Sequence, residues 1–516
     1  MTRRLALALL LVFPAAEGAA QQRTSYEELQ TFSQVLTYIF HSYPDSVSYS
    51  VLVKAAIDGV LRDLDPHSRF LSRLEYERLD SLERGDLAVT GASIDDIDGA
   101  PTVLGVYPGS PAEGAGVRPG DRVLALNDTV VAGLEIETIR IRMAGPAGSK
   151  IRVRFARGPR LEPDTFTLAL KRRVLEARYV FEARMADSIT GFVRLNEFGE
   201  KSADEVHDAI KGLKKQGARQ MILDLRNNPG GYVGQAVDLV SQFVPKGTVV
   251  FSTKGRRVDV DTTYHTRKDG EFRELPLVVL VNEHSASAAE ATAASLQDHD
   301  RALIVGRRSF GKALMQTGFV LSSGEVLVMT IGHVISPSGR FIQRRYSGLA
   351  VEQYYSLAGK SGAQADTDRV YHTDAGRVVR GGGGVEPDLV DSAGSEPGAW
   401  WVAAQDSGWV AAVADSIAAT LPATPAGMTA FEATLPGWGR TLMPGLLTRI
   451  RERLHVQASV DSLTQWQLGY EVGRRVVENR WGIAARYDLD LHHDRDVRMA
   501  IQAFPRLGDL LKGKAN

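Results

Sequence analysis

The apolar positions of this chain change their spacing from region to region, and each change predicts a different kind of structure. From residue 24 to about 64 they recur at helical intervals. Leu29, Phe32, Leu36 and Ile39 fall on one face, Leu52, Ala56, Val60 and Leu64 on another, with Tyr43-Pro44-Asp45 as a breaker between them. Asp65-Pro66-His67-Ser68 then ends the second helix, because proline disfavours helix at the residue before it. Between about 85 and 172 the pattern shortens to strands and glycine-rich turns, and from 173 to 394 strands alternate with helices. Beyond about 395 helical spacing returns, with Leu463, Trp466, Tyr470 and Val477 on one stripe. All six tryptophans lie in that last region, and core packing is the reading we give them.

The alternating region carries the informative junctions. Ile189 to Leu195 reads as a strand, and Ser202-Ala203-Asp204-Glu205 as a capping box opening a helix whose Val206, Ile210 and Leu213 share a face. Gln220 to Arg226 is apolar enough for a buried strand and ends in Asn227-Asn228-Pro229-Gly230-Gly231. Glycines there let the backbone approach a ligand closely and leave amides free to donate, although a plain tight turn would read the same in isolation. A second apolar run, Leu277 to Val281, leads through a polar turn to Ser287, which opens an alanine-rich helix over Ala288 to Leu296. A third, Ala302 to Val305, leads into Ser309-Phe310-Gly311-Lys312. A hydroxyl therefore sits at a strand-to-helix junction and a lysine sits just beyond a buried strand.

Size and composition narrow the setting. At 516 residues the chain is too long for one core. It is 44% apolar and 24% charged, with a formal net charge of -1, so nothing in its overall charge calls for nucleic acid or an anionic membrane as partner. Residues 1–20 read as a secretory signal: Arg3 and Arg4, then Leu5 to Phe13, then Gly18, Ala19 and Ala20 before Gln21. Cleavage after Ala20 would release an exported, periplasmic or extracytoplasmic protein, whereas a retained signal would anchor it to the membrane. There is no cysteine, which removes disulfides, thiolate catalysis and thiolate metal binding. No metal-binding spacing such as His-Glu-x-x-His occurs, and no cofactor is expected.

Two resemblances give these regions a meaning. Gly109-Ser110-Pro111-Ala112-Glu113-Gly114-Ala115-Gly116-Val117-Arg118-Pro119-Gly120-Asp121, followed by the strand Arg122 to Leu126, resembles a PDZ domain of the bacterial protease type. Such domains capture an extended peptide by strand addition and hold its terminal carboxylate on loop amides, which falls here on Val89, Thr90, Gly91 and Ala92. Val281 to Glu290, Gln297-Asp298-His299, Phe310-Gly311-Lys312 and Gln316 resemble the catalytic segment of the carboxyl-terminal processing peptidases, the tail-specific S41 family. Asp65 to Ser68, Leu225 to Gly231, Ser336 to Arg340 and the glycine run before Pro387-Asp388 extend the likeness over most of the chain.

The family resemblance implies roles for particular residues. Ser287 matches the nucleophile, Lys312 the general base, and Gln316 the side chain that orients the lysine amine. The N–H of Ala288, with one from Gly230 or Gly231, would form the oxyanion hole, and Asp298 would support local structure. Physical chemistry agrees with these roles, because a serine needs a base within hydrogen-bond reach and a lysine serves only when neutral. The chain departs from the family in having Ala313 where a glycine usually follows the lysine. The expectation is a multidomain α/β protein with a signal at 1–20 and a helical cap at 21–84. A PDZ domain at 85–172 precedes a ClpP/crotonase-like serine protease core at 173–394 and a helical C-terminal domain at 395–516. It would cut proteins near their C-termini, its substrates being chains with free C-termini. Any homo-oligomer or adaptor protein is left open.

Rival chemistries fit less well. Ser309-x-x-Lys312 matches the serine-x-x-lysine pattern of penicillin-binding proteins, but no Lys-Thr-Gly or Ser-x-Asn accompanies it. His284 and His299 flank the serine region and invite a triad, yet a triad base must approach the hydroxyl from across the site. A PDZ scaffold without turnover is the alternative of another class, and retention of Ser287, Lys312 and Gln316 together argues against it.

Overall fold

The computed structural model describes residues 24–77, 88–349, 354, 366–390, 400–401, 404, 408–455 and 462–512, apart from 98–99, 108, 119, 133, 135, 158–162 and 176–177. The secretory signal and the boundaries expected at 85 and 395 lie outside the described residues. Two units emerge, residues 1–64 and 65–516. The first contains the helices Ser25–Ser42 and Tyr49–Leu64 on either side of the expected breaker, the first opened by a Thr24–Glu27 capping box. The stripes that predicted these helices are largely solvent-facing here: Leu29, Phe32, Val60 and Leu64 are exposed, and Leu61 is the one described residue of the pair that is buried.

In the second unit, residues 92 to 171 build an antiparallel sheet in the order Ala92–Ile97, Ala100–Val106, Arg122–Leu126, Lys150–Arg157, Asp164–Lys171, and Ala88–Val89 pairs separately with Arg173–Val174. The helices Pro111–Gly114 and Ile136–Met143 pack over it, with Ile139, Val153 and Phe155 fully buried in the shared core. Ser110 caps the first of these helices, its hydroxyl accepting from Glu113 N at 3.2 Å, as the Ser-Pro-Ala-Glu spacing predicts.

The alternating region forms a six-stranded sheet in the order Val180–Met185, Thr190–Leu195, Gln220–Asp224, Leu277–Val281, Leu303–Gly306, Leu389–Val390. The first pair is antiparallel and the others parallel. Continuous apolar runs such as Leu277-Val278-Val279-Leu280-Val281 are what a strand covered on both faces requires. On one face Val193, Leu223, Val279, Val281 and Ile304 meet the helices Ser202–Lys215, Val233–Val240 and Ala288–Asp298. On the other, Phe192, Ile222, Val278, Leu280 and Val305 meet Leu491, Val497, Ala500, Phe504 and Leu507 from the end of the chain. A second sheet pairs Arg69–Leu71 and Leu314–Val320 with the long strand Val326–Ile335.

Two local expectations are corrected. The helix at 202 starts with Lys201 at its N-cap and no side-chain cap, and Glu205 accepts instead from Tyr179 N and Val180 N at 2.8 and 2.9 Å. In the Ser462–Trp481 helix Val477 of the expected stripe is buried and Tyr470 packs on the core, but Trp466 stacks on Tyr470 at 5.5 Å while Leu468, Val472 and Val476 fill the interior. The helical residues from 401 to 489 share a core of their own, and those from 491 onward belong to the sheet. Among the described residues no helix is long and apolar enough to cross a membrane.

Candidate active site

Three strand ends on the same edge of the parallel sheet supply the candidate groups, as expected for ligand sites beyond the carboxyl ends of parallel strands. The strand Leu277–Val281 leads to Ser287, at the N-cap of the helix Ala288–Asp298, with φ 56° and ψ -115°. A non-glycine residue in that region costs on the order of 1–3 kcal/mol and persists only where its surroundings enforce it. Two contacts do so. Glu290, at the third helical position, reaches back so that its Oε2 accepts from Ser287 N at 3.0 Å. On the other side lies Gly230, where an added Cβ would stand 2.7 Å from Ser287 Cβ and 2.8 Å from Ala288 N.

The strand Gln220–Asp224 supplies that glycine loop. Asn228 Nδ2 donates to Leu195 O at 2.8 Å, and its Oδ1 accepts from Gly230 N at 2.9 Å. The loop is bound to the serine turn by Ala286 N donating to Asn228 O and by a reciprocal pair between Asn227 and Asn282, each at 2.9 Å. The Gly230 amide is thus engaged within its own loop. Among the described residues none accepts from the N–H of Gly231 or of Ala288.

The strand Leu303–Gly306 leads to the lysine loop, which is fastened to the serine by the same carboxylate. Glu290 accepts from Gly311 N at 2.6 Å and from Ser309 Oγ on Oε1, and from Lys312 N at 2.7 Å on Oε2, in addition to Ser287 N. It is fully buried, and burial pushes its carboxyl up to about 7 against the pull of these four donors. Ser309 is itself buried and accepts from Val385 N at 2.6 Å, so its hydroxyl serves the loop rather than forming a dyad with Lys312.

The lysine loop also meets the turn at Asp65. Asp65 Oδ1 accepts from His67 N and Ser68 N, both at 2.8 Å, which folds the turn and aims His67 inward. His67 Nε2 pairs with Tyr354 Oη at 3.0 Å, and burial followed by the charge of Lys312 push the imidazole down to about 4, so it is neutral. Gln316 Nε2 donates to His67 O at 2.8 Å, which ties the strand after Lys312 to the same turn.

A further network surrounds Asp224. Arg194 and Arg226 both grip its fully buried carboxylate, Arg226 Nε at 2.9 Å and Arg194 Nε at 3.0 Å. Burial alone would raise that carboxyl, but the two guanidinium charges outweigh it and hold Asp224 down at about 2. Asp298, at the opposite end of its 11-residue helix from Ser287, lies about 16 Å along the axis from it and pairs with buried Arg340 at 2.7 Å. His299, at the same end, is held by Asp374 and by Val249 O, both at 2.7 Å, away from Ser287. No cluster of three or more metal-ligating side chains occurs among the described residues.

Comparison with known proteins bears on this arrangement. Residues 189–353 match the peptidase family S41 profile and residues 102–157 a PDZ domain profile. A carboxyl-terminal-processing protease of Synechocystis sp. is 33% identical over 295 residues, covering 56% of this chain and 68% of the relative. The chain belongs to peptidase family S41. The carboxy-terminal processing protease CtpA of Bacillus subtilis is 28% identical over 329 residues, covering 64% of this chain and 69% of that one. Among solved structures, a photosystem II D1 C-terminal processing protease aligns at 27% identity with a TM-score of 0.43, over 66% of this chain and 92% of the other.

This S41 chain is a serine peptidase with a PDZ domain, and its structure brings most of the expected residues into one place. Ser287, Ala288, Gly230, Gly231, Lys312 and Gln316 belong to the three loops and the strand after them; Asp298 stands apart. The PDZ residues form a separate group. Val89 pairs with Arg173, Thr90 is buried with its carbonyl accepting from Ala112 N at 2.9 Å, and Gly91, at φ 88°, packs where a Cβ would strike Ser110. Ala92 begins the edge strand Ala92–Ile97, which lies beside the helix Ile136–Met143. Glu290, His67 and Arg226 lie in segments that carry the family resemblance, but the sequence assigned none of them a role. For Glu290 a signal was present, because Ser287-x-x-Glu290 has the spacing of a capping box.

Proposed function

We propose that this S41 peptidase is exported and cleaves proteins near their C-termini through a Ser287–Lys312 dyad. The observation that carries the reading is Glu290, one carboxylate that binds the Ser287 amide and the Lys312 amide together and so fixes the two loops against each other. Once it has given up its own proton, Lys312 accepts the Ser287 proton as Oγ attacks the scissile carbonyl. The oxyanion that develops lies between the N–H groups of Ala288 and Gly231, with the helix N-terminus adding its positive end. Gly230 contributes by having no side chain where one would displace Ser287. Collapse of the tetrahedral intermediate expels the amine, which takes the proton from Lys312, and water repeats the sequence on the acyl-enzyme. Gln316 orients the lysine while its amide stays on His67 O, and Asp298 supports the far end of the helix through Arg340.

Residues 85–172 act as the PDZ module and 173–394 as a core of the ClpP/crotonase-like kind, between a helical cap at 21–84 and a helical region from 395. The open edge of Ala92–Ile97 beside Ile136–Met143 supports capture of a substrate tail by strand addition, its carboxylate resting on the Val89-Thr90-Gly91-Ala92 turn. The experiment is digestion of a denatured protein with a free C-terminus by wild type, Ser287→Ala and Lys312→Ala. Wild type should cut and both variants should not; equal cutting by Ser287→Ala would end the assignment. Amidating the substrate C-terminus should slow wild type through the PDZ site, and an unchanged rate would count against tail capture.

A further inference from the structure

The end of the chain reaches the candidate site through one arginine. Arg226 is the second residue after the strand Gln220–Asp224 and the last before the Asn227 to Gly231 loop. Its guanidinium is shared: Nε and Nη2 donate to Asp224 at 2.9 and 2.8 Å, Nη2 also meets Asp494 Oδ2 at 2.6 Å, and Nη1 meets Asp496 Oδ2 at 3.0 Å. The two aspartates come from about 270 residues away, and all three side chains are largely buried, at 12%, 18% and 14% exposure.

Their placement follows from the packing of the last helices. Asp494 is the N-cap of the helix Arg495–Ala503, its Oδ1 accepting from Asp496 N and Val497 N at 2.9 and 3.2 Å. That helix buries Val497 and Ala500 against Val278, Leu280 and Val305 on the face of the sheet opposite the catalytic helix. It therefore has a fixed register on the same strands that carry Ser287 and Lys312. From that register it offers two carboxylates to the residue that begins the glycine loop. Asn227, next in sequence, stands at φ 58° and joins the loop to Asn282 of the serine turn, so a displacement of Arg226 is passed to the loop by a strained backbone and not absorbed.

We infer that Asp494 and Asp496 are positioning residues for peptide hydrolysis: through Arg226 they set the Asn227 to Gly231 loop at the distance from Ser287 that oxyanion binding needs. The inference rests on the assignment of that loop to the oxyanion hole. A donor misplaced by about 1 Å can cost on the order of a hundredfold in rate, so the contribution should appear in kcat and not in KM. Asparagine caps a helix as well as aspartate does, so Asp494→Asn removes the charge facing Arg226 and leaves the helix start intact.

The test uses the full chain with Asp494→Asn, Asp496→Asn, the double variant and Asp496→Glu. It reads kcat, KM, unfolding temperature and the rate at which a fluorophosphonate labels Ser287. In the double variant kcat and the labelling rate should both fall about ten- to a hundredfold, with KM within about twofold of wild type. Each single variant should fall less, and Asp496→Glu should recover most of the rate. Unchanged kcat in the double variant overturns the inference, and so does a fall that only tracks the loss of folded protein with no recovery in Asp496→Glu. Ser287→Ala is run alongside. If it still cleaves, the catalytic assignment itself has failed; if it is inactive while the double variant is fully active, only the positioning role is lost.

Discussion

Two buried acids hold the two halves of this site, and they do it by opposite means. Glu290, between the serine turn and the lysine loop, is surrounded by three amides and a hydroxyl. Asp224, at the root of the glycine loop, is surrounded by the guanidinium groups of Arg194 and Arg226. Both are fully buried. Burial wins at Glu290 and takes its carboxyl up to about 7, because neutral donors compensate for a charge only in part. At Asp224 two full positive charges win and the carboxyl goes down to about 2. The amide-held acid fits a short-range task, bringing two backbones together, whereas the arginine-held acid reaches through Arg226 to residues far along the chain.

The strongest way to break this comparison is to delete each acid in turn. Glu290→Ala leaves four donors without an acceptor in a site that excludes water, at about 1–3 kcal/mol for each orphaned group and so on the order of 5 kcal/mol in all. Hydrolysis should be lost, and urea unfolding should show the drop in stability. Asp224→Asn should come next, at about 4 kcal/mol, because two buried arginines lose their shared counter-charge. Arg226 retains Asp494 and Asp496, so part of that network survives. If Glu290→Ala proves milder than Asp224→Asn, the carboxylate between the loops matters less than its four bonds suggest.

How much of this could be read from the chain depends on distance along it. The strands Arg122–Leu126 and Leu277–Val281 fall where apolar runs placed them, and the helix after Ser287 is two residues longer than its alanine-rich stretch suggested. Glu290 is within reach of a local pattern, three residues from Ser287, whereas the same spacing at Ser202 makes no cap because that helix starts from Lys201. Arg226 with Asp494, and His67 with Tyr354, join residues 268 and 287 apart, and no local pattern encodes such a meeting. The stripe after Ser462 is right at Val477, which is buried, and at Tyr470, which packs on the core, and it misses at Trp466. Trp466 and Tyr470 stack on each other beside the core, while the smaller Leu468, Val472 and Val476 fill it.

The two acids should also differ in their response to pH. Glu290 binds its proton more tightly in the folded chain, at about 7, than the ordinary 4.5 of an unfolded glutamate. Its contribution to stability is therefore greatest below pH 4.5, declines as pH rises from 4.5 to 7, and is constant above that, a change of about 3 kcal/mol. Asp224 runs the other way. Its contribution is complete above pH 3.8 and is lost as pH falls toward 2. Unfolding temperatures of wild type and Glu290→Gln between pH 5 and 7.5 separate the two, since glutamine does not titrate and its profile should lack the decline. Parallel profiles would mean that the Glu290 carboxyl does not change charge in this range.

The smallest expected effect on stability belongs to Gln316, and it sharpens the comparison by adding a tether that is neither acid. Gln316→Ala removes the bond to His67 O at 2.8 Å, a single neutral side-chain contact on a partly buried strand, worth about 1 kcal/mol. As a mere tether of the Asp65 to Ser68 turn, it would lower activity only as far as the turn loosens. As the group that orients Lys312, it would lower kcat well beyond that, since a misdirected amine cannot take the Ser287 proton. Gln316→Glu distinguishes the cases further, because a carboxylate beside Lys312 favours its charged form and should move the rising, acid-side limb of activity to higher pH. A pH profile unchanged in Gln316→Glu, together with kcat that follows stability in Gln316→Ala, would assign Gln316 to the scaffold and leave Lys312 oriented by the loop that Glu290 holds.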